Sequence, residues 1–239
     1  MRSQKIALEE KEGVATLTLN RPDRDNAVDS EMMEAIVEAL LDVSARGHSR
    51  VLLLCGRGDY FCSGRDPGQT PQKGPKEWTE VLGQITRVNR SLASFPGITV
   101  ALVRGRAFGF GFGLAVQSDI TLAAEDARFA FPEIKAGFPP TIVMSYLGRW
   151  MTRKKAFELV ITGGEIDAYE AERLGLLNRV VATRQLTLEG EQWVALLLKQ
   201  DAKALRVCKE FFRDTAHLNP EDASRYGVSL LANLMSTPH

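Results

Sequence analysis

A run of six mostly apolar residues that leads into a glycine-rich segment restricts the fold more than any other feature. Residues 98–103 read ITVALV, a composition that predicts a strand. The glycine-rich segment, residues 105–113, carries glycine at positions 105, 109, 111 and 113. Glycine permits sharp turns and lets the backbone approach a neighbour closely. The pattern therefore predicts a strand, a tight turn over the glycine-rich segment, and then a short helix.

The rest of the chain repeats this alternation of strands and helices. Asp29 or Ser30 precedes apolar residues at helical spacing, and Asp167 is followed three residues later by Glu170, so both places predict helix starts. After about residue 181 the pattern is helical alone. The sequence thus predicts an α/β core with a helical tail. The other predicted strands are residues 6–8, 14–19, 51–54, 120–123 and 128–131, and the other predicted helices are residues 32–41, 77–92 and a last one from Pro220.

Charge and cysteine content exclude several classes of protein. Thirty Lys and Arg balance thirty Asp and Glu, which argues against a nucleic-acid coat or an acidic-membrane binder and is compatible with an oligomer. Cys55, Cys62 and Cys208 form no metal or disulfide pattern, and only three histidines are present, so no metal site is predicted. No signal-peptide layout and no apolar run long enough for a membrane span occur, so a cytoplasmic compartment is expected.

Three segments contain residues that could carry chemistry, and each also has an ordinary structural interpretation. The 59–66 loop has a glycine that could free a backbone N–H for a ligand, or it is a plain surface loop. The glycine-rich segment could bind an anion at a helix start, or it is a tight turn packed by phenylalanines. Glu133 lies among Phe, Pro and Ile and could be a desolvated carboxylate for proton transfer, or a solvated acid paired with Lys135.

Together and in this order, these segments and two others resemble the crotonase superfamily, the enoyl-CoA hydratases and isomerases. Residues 61–66 (FCSGRD) are similar to the family's F-x-A-G-x-D motif, and the glycine-rich segment through Asp119 is similar to its Gly-rich turn and helix. Residues 131–133 (FPE) are similar to its F-x-x-P-E motif. Residues 20–28 resemble its N-R-P…N-A-L opening, and residues 171–181 resemble its A-x-x-x-G-L-V-x-x-V-V segment.

The resemblance implies a crotonase fold of repeated ββα units. Residues 1–182 would form an acyl-CoA-binding catalytic core, and residues 183–239 a helical region used in a homotrimer or a dimer of trimers. The substrate would be an acyl-CoA thioester, with coenzyme A as part of the substrate and no separate cofactor. No nucleic acid or membrane partner is implied.

The resemblance also implies site residues. The backbone N–H groups of Arg65 and Phe110 would hold the thioester oxygen, and Glu133 would transfer protons. This is physically reasonable because proton removal beside a thioester puts negative charge on that oxygen, and fixed N–H dipoles stabilise it. The residues implied in binding coenzyme A are Arg24, Cys62, Ser63, Gly64, Gly109 and Gly111.

One departure bears on the reaction. The first acid of the two-acid hydratases falls at Gly113, which cannot transfer a proton, so the chemistry favours double-bond isomerisation or a single-acid hydratase. Three alternatives stay open: a non-catalytic acyl-CoA-binding paralogue, a CoA-thioester decarboxylase or hydrolase of the same superfamily, and a nicotinamide-dependent dehydrogenase built on the glycine-rich segment. The last leaves the 59–66 loop and Glu133 unexplained. The candidates for pocket or core positions are Phe108, Phe110, Phe112, Phe138 and Tyr146.

Overall fold

Two sheets organise the chain in a computed structural model that describes residues 3–66, 68 and 74–236. The described strands are β1 (Ile6–Lys11), β2 (Val14–Leu19), β3 (Val51–Gly56), β4 (Ile98–Val103), β5 (Arg106–Phe108), β6 (Ile120–Ala124), β7 (Arg128–Ala130), β8 (Ile166–Asp167) and β9 (Arg179–Val181). The larger sheet has the order β1-β2-β3-β4-β6-β9 and is parallel except for the β1–β2 hairpin. The smaller sheet has the order β5-β7-β8.

Helices connect these strands and follow them at the C-terminal end. The described α-helices are α1 (Ser30–Arg46), α2 (Pro75–Ala93), α3 (Phe110–Gln117), α4 (Thr141–Leu147), α5 (Arg153–Thr162), α6 (Ala168–Arg173), α7 (Leu186–Lys199), α8 (Ala202–Thr215) and α9 (Pro220–Ser236). Two capping predictions are confirmed. Asp29 accepts a hydrogen bond from the Met32 N–H at 2.9 Å, and Asp167 accepts one from the Glu170 N–H at 2.8 Å.

The glycine-rich segment differs from its prediction as one continuous turn. Its first part is the short strand β5, which pairs with β7, and helix α3 begins inside the segment at Phe110. Strand β5 is stabilised by partners elsewhere in the chain, which the local sequence pattern does not reveal. The strand-to-helix connection is therefore shorter than predicted, and it is centred on Gly109.

Both faces of the larger sheet are covered, as the apolar run in β3 predicted. Leu52 and Leu54 face a core shared with α1, α2 and α3, whereas Val51 faces a second core that includes Leu186 and Leu197 of α7. Gly190 lets α7 approach this second face, because a Cβ atom there would lie 2.7 Å from Leu102 Cδ1. Since alternate residues of a strand point to opposite faces, a strand buried on both sides must be apolar throughout.

Two half-buried cations attach the last helices to the sheet. Arg50 donates hydrogen bonds to the carbonyl oxygens of Leu198 and Gln200, which end α7. Lys209 on α8 forms an ion pair with Asp119 at 2.8 Å and donates to the Gly97 carbonyl oxygen at 2.9 Å. The division of the chain at residue 182 stays a prediction, and the first helix beyond it packs directly on the sheet.

Candidate active site

The 59–66 loop and the glycine-rich segment run side by side. Cys62 donates from its N–H to the Arg106 carbonyl at 2.9 Å and accepts from the Phe108 N–H at 2.9 Å. This parallel bridge sets Gly64 next to Phe108 and Gly109. Gly64 has φ of +106°, and a Cβ atom there would lie 3.1 Å from the Phe108 carbonyl oxygen. Glycine is therefore needed at position 64 for both its backbone angle and its close packing.

Two backbone N–H groups at this junction are available to a ligand. The Arg65 N–H and the Phe110 N–H donate no hydrogen bond to any other described residue. The loop is fixed instead by its neighbours, since Val28 donates to the Gly64 carbonyl at 2.8 Å and Asp66 donates to the Val28 carbonyl at 3.0 Å. Phe110 is the first residue of α3, where N–H groups lack intrahelical partners and carry the positive end of the helix dipole.

The carboxyl group of Glu133 lies against the same glycine-rich segment. Glu133 belongs to a short 3-10 turn, Pro132–Ala136, and a Cβ atom at Gly109 would overlap its Oε1 oxygen. Its Oε2 oxygen is buried and has no hydrogen-bond partner among the described residues. Burial raises the pKa of Glu133 above its ordinary value. No ion pair joins it to Lys135 within the described part of the chain. The Glu133 carboxyl is thus a desolvated group with a free oxygen.

Side chains of residues 20–28, the segment that resembles the family's N-R-P…N-A-L opening, hold the 59–66 loop in place. Arg21 pairs with Asp66 at 3.0 Å and with Asp29 at 3.3 Å. Asn26 is fully buried and donates to the carbonyl oxygens of Arg57 and Tyr60 at 2.9 and 2.7 Å. The sequence marks this segment only through the family resemblance. In the structure its side chains fix the position of the 59–66 loop.

The space beside Gly113 is taken by a tyrosine. A Cβ atom at Gly113 would lie 2.7 Å from the hydroxyl oxygen of Tyr146, on α4. Tyr146 is buried, and the side chain of Asn89 on α2 is near enough to its hydroxyl to lower the pKa of that group. Burial, the largest cause, raises the pKa of Tyr146, and the nearby charge of Glu133 raises it further. Sequence reasoning left Tyr146 undecided between pocket and core and did not single out Asn89.

The residues predicted to bind coenzyme A fall into two groups. Cys62 is fully buried, burial raises the pKa of its thiol to about 12, and Gly111 packs against it, with a Cβ at Gly111 2.6 Å from Cys62 Cβ. These two residues shape the backbone around Gly109. Arg24 is exposed and Ser63 is half-buried, so their side chains can reach a ligand. The roles in binding coenzyme A that were predicted for Arg24, Cys62, Ser63, Gly64, Gly109 and Gly111 all stay predictions.

The phenylalanines that the sequence left undecided between pocket and core also differ in burial. Phe112 is fully buried and stacks on Phe131 with ring centres 4.7 Å apart, so it belongs to the core. Phe110 is also buried, Phe108 is half-buried, and Phe138 is exposed. The Arg65 side chain extends towards Trp78 of α2, with its guanidinium carbon 5.8 Å from the ring centre.

Clusters of metal-ligating side chains and membrane-spanning helices are both absent from residues 3–66, 68 and 74–236. No group of three or more His, Cys, Asp or Glu within that part of the chain could hold a metal ion. None of the helices found there combines the length and the apolar character that crossing a bilayer requires.

A mostly parallel sheet, a turn centred on Gly109 and the desolvated Glu133 carboxyl that lies against this turn define an α/β protein with a candidate acid–base site. A sequence profile of the enoyl-CoA hydratase/isomerase family matches residues 9–239. The chain belongs to this family, whose members act on coenzyme A thioesters, and it has the crotonase fold.

Individual relatives cover nearly the whole chain. A Thermus thermophilus protein assigned as an enoyl-CoA hydratase is 32% identical over 227 residues, which are 94% of this chain and 89% of that protein. The carnitinyl-CoA dehydratase of Salmonella typhi is 30% identical and covers 94% of this chain and 86% of its own length. The crystal structure of an enoyl-CoA hydratase from Mycobacterium smegmatis superposes with a TM-score of 0.94 at 30% identity, covering 98% of this chain and 92% of that one.

Proposed function

We propose that this protein catalyses proton transfer on an acyl-CoA thioester, with Glu133 as the proton carrier and the N–H groups of Arg65 and Phe110 as the oxyanion hole. The observation that carries the proposal is the Glu133 carboxyl, whose Oε2 oxygen is buried without a partner among the described residues. This carboxyl lies against Gly109, which directly precedes Phe110 and packs beside Gly64, the residue before Arg65. A buried polar atom without a partner is rare in a folded protein, and a desolvated titratable group of this kind favours a functional role.

The proposed chemistry follows from charge development in the thioester. When a base takes a proton from the carbon beside the thioester, negative charge moves to the thioester oxygen. Two aimed N–H groups and the positive end of α3 stabilise that charge without reorganising. Isomerisation needs Glu133 to take a proton from one carbon and return it to another. Hydration needs it to take a proton from water and give it to the α-carbon, and one carboxyl can serve both steps in turn.

Hydration or dehydration is the reaction we favour within the family. A 30% identical relative is named as a carnitinyl-CoA dehydratase, and the solved structure described above is named as an enoyl-CoA hydratase. Isomerisation is the second candidate, since the glycine at position 113 removes one of the two acids of the two-acid hydratases. We further propose a cytoplasmic enzyme that binds coenzyme A near Arg24, Ser63 and Gly64 and assembles as a homotrimer or a dimer of trimers.

The test is the Glu133→Gln variant, which keeps the shape of the side chain and removes its ability to carry a proton. We expect turnover to fall by at least about 10³-fold, within the range that general acid–base groups contribute. Binding of a saturated acyl-CoA, followed by calorimetry, should stay within a few-fold. The exposed Glu165 supplies a matched control, because Glu165→Gln makes the same chemical change away from the site.

The substrate screen should offer enoyl-, 3-hydroxyacyl-, dienoyl- and malonyl-type thioesters, with products followed by mass spectrometry. Near-wild-type turnover in Glu133→Gln would contradict the role given to that carboxyl. Measurable binding with no turnover of any thioester by the wild type would favour a non-catalytic acyl-CoA-binding protein instead.

A further inference from the structure

We propose that Tyr146 is a second catalytic group, which hydrogen-bonds the oxygen that is added to or lost from the β-carbon of the acyl-CoA. The inference rests on the proposed function and selects hydration or dehydration within it. The observation behind it is that the Tyr146 hydroxyl lies beside Gly113, which has no side chain and is one helical turn beyond Gly109.

The two chemical groups face successive turns of the same helix. The Gly113 N–H donates to the Gly109 carbonyl oxygen at 3.0 Å, so positions 109 and 113 lie above one another on α3. The Glu133 carboxyl touches the helix at Gly109, and the Tyr146 hydroxyl touches it at Gly113. Each contact depends on the absence of a side chain, since a Cβ atom would clash with the group that lies there.

The hydroxyl retains hydrogen-bonding capacity after its contact with Asn89. A phenolic hydroxyl carries one donor and two acceptor positions, so even a hydrogen bond to the nearby Asn89 amide would use only one of the three. Its burial in a largely apolar surrounding makes a further partner favourable. Because its pKa is raised, Tyr146 stays protonated in the working pH range and acts through hydrogen bonds, whereas Glu133 carries the proton.

With these two roles, every proton and electron pair of the hydration reaction is accounted for. In hydration the Glu133 carboxylate takes one proton from water while the water oxygen bonds to the β-carbon, and the π electrons of the double bond move onto the thioester oxygen. The Glu133 carboxylic acid then returns that proton to the α-carbon. Tyr146 orients the water oxygen throughout and exchanges no atom. A simple double-bond shift has no such oxygen, so it gives the hydroxyl nothing to hold.

Two reactions of the same enzyme distinguish the role of Tyr146 from that of Glu133. Hydration of an enoyl-CoA needs the water to be oriented, whereas exchange of the α-protons of a saturated acyl-CoA in D₂O needs only Glu133 and the oxyanion hole. We expect Tyr146→Phe to lower kcat for hydration about 10²-fold, the loss typical of removing one hydrogen-bonding group aimed at the reacting atoms. Its rate of α-proton exchange and its KM should stay within about three-fold of wild type.

The outcomes distinguish this inference from the proposed function. Unchanged hydration in Tyr146→Phe, or an equal fall in hydration and exchange, would overturn the role of Tyr146 and leave that of Glu133 intact. A wild type that exchanges α-protons but never hydrates or dehydrates any thioester would also overturn it. If exchange is absent from the wild type itself, or is unaffected by Glu133→Gln, the proposed function is the part that fails.

Gly113 provides an independent variant in case Tyr146→Phe folds poorly. Gly113→Ala adds a Cβ that would stand 2.7 Å from the Tyr146 oxygen and must displace it. We expect Gly113→Ala to slow hydration about as much as Tyr146→Phe, and to add little in the Tyr146→Phe background, where the oxygen is already gone. Independent, multiplying losses in the double variant would mean that the two positions do not act through one hydroxyl.

Discussion

At the scale of single residues, the site combines groups that local sequence could suggest with groups that it could not. Glu133 stands in an apolar segment and proved to be desolvated, with its carboxyl against Gly109. Tyr146 and Asn89 lie on different helices, 57 positions apart in the chain, and only the folded structure brings them near each other. No local pattern marks such a pair. The missing acid at position 113 is visible in the sequence, but the group that fills its space is not.

The raised pKa of Glu133 predicts the acid limb of the pH–rate profile. The residue must be ionised to take a proton from water or carbon, and burial shifts its ionisation to higher pH. We therefore expect kcat/KM to fall as the pH drops through a midpoint above the ordinary glutamate value of about 4.5. The profile should be measured from pH 4 to 9, with circular dichroism to confirm that the fold is retained.

A midpoint at or below the ordinary value would contradict a desolvated catalytic carboxylate. The carboxyl of Glu165 serves as the reference, because Glu165→Gln should leave the limb where it is. Rapid exchange of the α-protons should show the same limb as hydration, since both begin with ionised Glu133.

At the scale of elements, the regular strands and helix starts were predictable and the irregular junction was not. Strand β4 and the caps of α1 and α6 depend on residues that are close in the chain. Strand β5 has only three residues and exists because β7 and Cys62 pair with it from elsewhere. That pairing places the segments that carry the Arg65 and Phe110 N–H groups side by side, and neither N–H has a partner among the described residues. The family resemblance could therefore predict these two residues, whereas the local sequence pattern could not.

Gly64 tests how far catalysis depends on this junction. Gly64→Ala forces an L side chain into φ of +106° and sets its Cβ 3.1 Å from the Phe108 carbonyl oxygen, so the loop must shift and move the Arg65 N–H. Removal of one oxyanion-hole donor typically costs about 10²–10³-fold in kcat, and we expect a loss of that order. Steady-state kinetics and a thermal melt should be run together on the variant.

The control for Gly64 is Gly47, which ends α1. Gly47 also has positive φ, +68°, but no heavy atom lies near the place of its Cβ. Gly47→Ala should lower stability by about 1 kcal/mol through backbone strain alone and leave kcat unchanged. If both variants lose stability equally and neither loses activity, the Arg65 N–H has no part in the reaction.

At the scale of the whole molecule, the last helix leaves an apolar stripe uncovered. Val228, Leu231 and Met235 are spaced three and four residues apart on α9 and are 71%, 54% and 77% exposed. An adjacent face of α9 packs on α8, where Gly227 lies against the ring of Phe211. No described part of the chain covers the stripe. Aligned apolar side chains on one helix face favour burial against a partner, and a net charge of zero offers little repulsion between copies.

We expect the stripe to be buried between copies of this chain in the proposed trimer or dimer of trimers. The wild type should then sediment at three or six times the mass of one chain in analytical ultracentrifugation. The double substitution Val228→Asp with Met235→Asp places two charges in the contact, which is strongly unfavourable when they are desolvated, so the mass should fall towards that of a single chain. Leu41 on α1 is similarly exposed, at 57%, and Leu41→Asp adds the same kind of charge away from the stripe, so it should leave the mass unchanged. A wild type that sediments as a single chain, or a double variant with unaltered mass, would show that α9 does not form the interface. A double variant with unaltered mass would mean that copies of the chain associate through a different surface, because disruption of the stripe would not have weakened the oligomer.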